Sequence, residues 1–181
     1  MKNTREISLG LLTLFMSISL ISFSQVSFPF SENKGQLPKN VFSKIKVPSG
    51  AIFIEKGKFT YSFYNGGQLS DAHDLQREEN WIDAHSFTSE FIKSNAETKV
   101  ILSERSKYFE NFYTKNSFVE NVHFYKTLLQ KNIYNGIDLQ MYFDKENLKY
   151  DLIVSPNISP KKISIKYTGQ DNIYLKNGNL I

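Results

Sequence analysis

The chain has 181 residues, with 22 Lys and Arg against 18 Asp and Glu, three His and no Cys. Its 40% hydrophobic and 22% charged content is that of an ordinary globular domain, so collagen-like, disulfide-rich and wholly disordered classes are excluded. Without Cys there is no thiol nucleophile, no Cys-ligated zinc or iron–sulfur site and no lipidated cysteine anchor.

Residues 1–24 read as a secretory signal peptide. Lys2 and Arg5 give a positive start, and Leu9 to Phe23 is apolar or small throughout. Ser22 and Ser24 stand at −3 and −1 of a cleavage site before Gln25. The apolar run is about 15 residues, short of the roughly 20 that span a bilayer. The expectation is therefore a secreted protein, extracellular or on the outer cell surface, with no transmembrane segment after cleavage. Losing Lys2, Arg5 and Glu6 takes 22 basic residues to 20 and 18 acidic ones to 17. That balance is too even to expect a nucleic-acid partner.

Residues 25–181 read as one β-rich domain. Ile52 and Ile54 alternate with Ala51, Phe53 and Glu55. After Lys56-Gly57, Phe59, Tyr61 and Phe63 share one face, which predicts a hairpin. Helical periodicity is poor, and only Asp71 to Ala84 can hold a helix. This acidic stretch follows Asn65-Gly66-Gly67, so residues 65–84 are expected to form a surface insertion with Trp81 exposed. Phe87 and Phe91 align within His85 to Lys93, and Thr98 to Ser103 is a short apolar run.

The clearest signal follows. Ile137, Leu139, Met141 and Phe143 alternate with polar residues up to the turn Asp144-Lys145-Glu146-Asn147. Leu148, Tyr150, Leu152 and Val154 then alternate in the same way, predicting a second hairpin. Pro156 and Pro160 bracket a loop, and Ile163, Ile165 and Tyr167 make the next strand. Ile173 to Leu175 and Leu180-Ile181 flank the turn Asn177-Gly178. The fold class expected is all-β, an antiparallel β-sandwich-like pair of packed sheets. It reads as incomplete at the C-terminal end, because a strand begins at Leu180 and does not finish. Lys161, Lys162 and Lys166 are read as edge and solvent lysines that discourage strand pairing.

No catalytic constellation is legible. His73, His85 and His123 are scattered, and no G-x-S-x-G, H-E-x-x-H or phosphate-binding Gly-rich loop occurs. Asp138 and Asp151 fall on the polar face of the second hairpin with Lys149, where a cross-strand charge network is the plainer role than catalysis. Asp144 to Asn147 lacks the spacing and the Gly of a calcium loop. No metal or cofactor is expected. Trp81, Tyr64 and Tyr142 are kept as ligand-binding candidates, because an exposed flat ring stacks on the apolar face of a sugar.

Four segments together carry a resemblance. They are Glu32-Asn33-Lys34-Gly35-Gln36 with Pro38, and Gly50 to Glu55 leading into Phe59-Thr60-Tyr61. The others are Ile133-Tyr134-Asn135-Gly136-Ile137-Asp138-Leu139, and Leu148 to Val154 with Pro156, Pro160, Ile163 to Tyr167 and Gly169. The chain resembles the N-terminal domain, of unknown function, of large secreted Bacteroidota surface proteins. The resemblance implies SBBP beta-propeller-type repeats, PKD or immunoglobulin-like modules and a gliding-motility-associated type IX secretion sorting domain further along. It implies no catalytic residues. The expected function is a non-enzymatic structural or interaction module of an exported surface or extracellular protein, related to adhesion, with an extracellular glycan or surface protein as partner. The alternative is a glycan-binding accessory domain, and the third reading is a secreted hydrolase with dispersed carboxylates.

Overall fold

A computed structural model describes residues 29–71, 81–114, 117–145 and 147–181. The leader with Ser24 and Gln25, and residues 72–80 of the insertion with His73, lie outside the described residues.

Period-two alternation becomes strands wherever a turn lets the chain fold back. The first four are β1 (Phe30–Glu32), β2 (Val41–Val47), β3 (Gly50–Glu55) and β4 (Lys58–Tyr64). A short helix, α1 (Gly66–Asp71), follows, then β5 (Ala84–Phe91). Two long strands come next, β6 (Lys99–Thr114) and β7 (Ser117–Tyr134). The predicted C-terminal hairpin is β8 (Ile137–Asp144) and β9 (Asn147–Val154). A 3₁₀ turn at Pro160–Lys162 leads into β10 (Ile165–Thr168). A separate small hairpin is formed by β11 (Leu175–Lys176) and β12 (Asn179–Leu180).

Ten of these strands join one antiparallel sheet. One arm runs β10-β5-β4-β3-β2-β1 and ends on β7, and the other arm is β8-β9. Tyr125 of β7 pairs with Arg105 of β6 and with Phe30 of β1, while Leu128 pairs with Leu102 of β6 and Met141 of β8. A strand has only two edges, so β1 and β8 follow each other along the same edge of β7 and the sheet forks there. β6 and β7 bend at this point. Glu104 has a φ of 58°, and the ladder shifts register between Arg105 and Phe109 and between Glu110 and Phe112.

The main sheet therefore curls into a half-barrel, where the sequence reading expected a sandwich of two packed sheets. Strands shared by both arms join its two halves into one continuous sheet. The apolar faces still meet. Phe30, Ile45, Ile54, Phe59 and Phe91 of the first arm pack with Leu128, Leu139 and Met141, all fully or almost fully buried. Rings cross the interior, with Phe30–Phe143 centroids 6.4 Å apart and Phe59–Tyr150 6.1 Å apart.

Two polar side chains fasten this interior. Gln130 of β7, buried, donates from Nε2 to Glu55 O at 2.9 Å and accepts from Gly57 N at 2.9 Å. It satisfies the β3–β4 turn from across the core, where unpaired backbone groups would cost free energy. The Tyr134 hydroxyl donates to Ile92 O at 2.9 Å and so holds the loop after β5.

Candidate functional site

At the end of β4 and the start of β5, Tyr64 pairs with Ala84. Asn65 carries the chain into α1, its Oδ1 accepting from Gln68 N at 3.2 Å and its carbonyl from Leu69 N at 3.1 Å. Asn65 is thus the cap that starts this helix, ahead of the stretch the sequence reading favoured. Gln68 Oε1 accepts from Asp83 N at 2.7 Å, and its Nε2 donates to Asp83 Oδ2 at 2.9 Å. Those bonds hold the two ends of the insertion together and leave a hollow of about 210 Å³ lined by Phe63, Tyr64, Asn65, Asp83, Ala84 and His85.

Tyr64 is 41% exposed at this hollow, and Trp81, just before Asp83 in the chain, is 54% exposed. Further along the same strands, Tyr61 stacks on Phe87 at 4.5 Å and Phe63 lies 6.4 Å from the same ring. The hollow offers flat apolar surface with an amide, a carboxylate and an imidazole at its rim. That combination suits the alternating apolar faces and hydroxyl edges of a sugar.

The third sequence candidate is elsewhere. Tyr142 lies on β8 opposite Lys149 of β9. The hydrogen bond of its phenol to the Asp151 carboxylate holds the phenol pKa above the ordinary 10.0, with desolvation and the carboxylate's charge adding to it. Asp138 and Asp151 are not directly opposite but diagonal on one face of the ladder, facing Ile153 and Gln140 respectively. Asp138 Oδ1 accepts from Asn132 N at 2.6 Å, fixing the β7–β8 turn.

A second concavity of about 400 Å³ lies by the β3–β4 turn, lined by Asn40, Phe42, Glu55, Lys56, Lys58 and Glu90. Its buried carboxylate, Glu55, accepts from Asn40 Nδ2, from Lys58 Nζ at 2.7 Å and from Thr60 Oγ1 at 3.4 Å. Lys56 sits 5.9 Å over the Phe42 ring and donates to Ala96 O. These charges are matched within the wall itself.

Sequence reasoning missed the far end of the β6–β7 ribbon. Tyr108, Phe109, Tyr113 and Phe118 are all exposed there, with Tyr113 and Phe118 rings 4.7 Å apart. The signal was present as the adjacent aromatic pairs Tyr108-Phe109 and Phe112-Tyr113. Neighbours in a strand point to opposite faces, so one ring of each pair cannot enter a core on the other side. Among the described residues no group of three or more His, Asp or Glu is placed to hold a metal.

The motif residues of the sequence have mostly local tasks. Asn33 Oδ1 accepts from Gly35 N at 2.9 Å and Leu37 N at 3.2 Å, and its Nδ2 donates to Val41 O at 2.7 Å. Glu32 accepts from His123 N and from the Tyr125 hydroxyl, and Lys34 Nζ donates to Glu120 O. Asn132 Oδ1 accepts from Gly136 N at 3.0 Å. A mostly antiparallel β-domain whose signature residues tie its own loops to its own strands defines a class by its fold. Residues 30–181 match the family described as Domain of unknown function (DUF7948), and the chain belongs to that family. None of the curated proteins and none of the solved structures compared matches it. No helix among the described residues is long and apolar enough to cross a membrane, which says nothing about crossing by strands.

Proposed function

We propose that the protein is a non-enzymatic interaction module of an exported surface or extracellular protein, and that it works by contact through exposed aromatic rings. The observation carrying this reading is the aromatic end of the β6–β7 ribbon, where four large rings stand in solvent. Clustered exposed aromatics are costly to leave in water and are common at contact surfaces. The leader ending at Ser24 supports export. The four resemblance segments support a place ahead of repeat modules and a type IX sorting domain in a Bacteroidota surface protein, with adhesion as the use. A sandwich-like stacking of the two arms is the finer description of the fold, supported by the rings that cross between them. The decisive experiment is to assay the purified protein on broad glycan and peptide panels. No turnover is expected, and metal-dependent hydrolysis abolished by a single carboxylate substitution overturns the reading.

A second reading, a glycan-binding accessory domain, is favoured by the hollow lined by Tyr64 and by the exposure of Trp81 two residues before Asp83 in the chain. It expects saturable polysaccharide binding that Trp81→Ala abolishes while circular dichroism stays unchanged. Glycan arrays showing no binding at high micromolar protein remove it.

A further inference from the structure

Among the described residues β9 pairs with β8 alone, in unbroken register from Ile137↔Val154 to Asp144↔Asn147. Its outer edge, NLKYDLIV, carries no proline, no glycine and no register shift. The other free edges are blunted. The ladder of β6 shifts register twice and Glu104 turns to positive φ, while β10 is four residues long. Natural edge strands use such bulges and short lengths to prevent pairing. β9 lacks these devices.

Which backbone groups of β9 are unpaired follows from its start and end. Ser155 N donates to Gly136 O at 2.9 Å, so those two residues form a hydrogen-bonded pair. Bonded and non-bonded pairs alternate along an antiparallel ladder. Lys149, Asp151 and Ile153 therefore bond β8, while Leu148, Tyr150, Leu152 and Val154 aim their N–H and C=O groups away from it.

The side chains around Tyr150 form a charge-inverted palindrome, Leu148-Lys149-Tyr150-Asp151-Leu152. We propose that β9 pairs antiparallel with β9 of a second copy of this chain, about a two-fold axis at Tyr150, extending the sheet across the dimer. In that register Leu148 faces Leu152 and Lys149 faces Asp151, each pair occurring twice. The residues brought into hydrogen-bonded positions, Leu148, Tyr150 and Leu152, are the ones with free outward groups. Lys149 and Asp151 fall at the non-bonded positions, where opposite side chains are closest.

The alternatives are disfavoured by the same residues. Sliding by one position sets outward groups against groups already bonded to β8. Sliding by two sets either Asp151 against Asp151 or Lys149 against Lys149. Both charges stay available in the single chain. Lys149 is exposed and bonds Asp144, and an ammonium with three donors has room for a second carboxylate. This pairing does not depend on the aromatic hollow or the ribbon end.

Sedimentation equilibrium of the purified protein across micromolar concentrations tests it. The unsubstituted protein is expected to dimerise reversibly. Lys149→Asp alone, or Asp151→Lys alone, turns both attractive pairs repulsive and weakens association about tenfold or more. Combining K149D with D151K restores it. A protein that stays monomeric throughout, or a combined variant no better than either single one, overturns the proposal. Hydrogen exchange on the unsubstituted protein guards against misfolded variants. Protection of the Leu148, Tyr150 and Leu152 amides rises with protein concentration if the strands pair, and its independence of concentration overturns the pairing.

Discussion

Gly136 shows how a single position can be fixed by two demands at once. Its φ of 76° lies where side chains are disfavoured, and a Cβ there would sit 2.6 Å from Ile158 Cγ1. Ile158 packs against the core, so it has limited room to withdraw. Gly136→Ala is expected to lower unfolding free energy by about 1–3 kcal/mol, read by urea denaturation. The neighbouring polar residues do similar local work. Asn95 Nδ2 donates to Asn132 O at 2.9 Å and to Asn135 Oδ1 at 3.0 Å, binding the loop after β5 to the β7–β8 turn. The Ile133 to Leu139 motif therefore has a task in backbone geometry.

At the scale of elements, the loop between β1 and β2 is held by the side chains of Asn33 and Gln36, the latter accepting from Lys34 N and donating to Glu32 O. Asn33 serves two backbone N–H groups and carbonyls of the returning chain, including Val41 O. Asn33→Ala is expected to cost about 1–2 kcal/mol and to raise hydrogen exchange at Gly35 and Leu37, because those amides then have only water as partner. The loop stands beside β7, where Glu32 and Lys34 bond, so a change there also loosens the fork. The Lys-rich C-terminal segment is plainer. Lys166 of β10 lies opposite Glu90 of β5, which lies opposite Lys58 of β4, an alternation of charge across three strands.

Over the whole molecule, burial inside the half-barrel leaves a mark on the tyrosines. Loss of solvent is the main cause raising the phenol pKa of Tyr61, Tyr134 and Tyr150 above 10.0, and nearby Tyr150 and Tyr167 add to it at Tyr61. These phenols are neutral in the folded chain at a pH where the unfolded chain has begun to ionise. The folded state then holds more protons, so stability is complete below about pH 10 and falls as pH rises beyond it. Tyrosinate absorbance from these residues is expected to appear together with unfolding, and Tyr61→Phe should make the alkaline decline shallower. A stability that stays level through that range would contradict the loss of solvent at Tyr61 and Tyr134.

The hairpins β3–β4 and β8–β9 were legible in the amino-acid sequence, as was β10. Period-two alternation and a tight turn are local properties of the chain, set by covalent geometry and a few residues such as Gly57 and Asn147. The lengths of β6 and β7 were not legible, nor was the pairing of Phe30 with Tyr125. Partners so distant in the chain are chosen by which faces can be buried together. The convergence of Tyr64, Asp83 and His85 on one hollow has the same origin, as does the separation of Tyr142 from it. That β9 is left with an open edge is decided in tertiary space too. The residues Lys149 and Asp151 can be read in order by anyone, but only the finished sheet leaves their strand, among the described residues, with β8 on one side and no strand on the other.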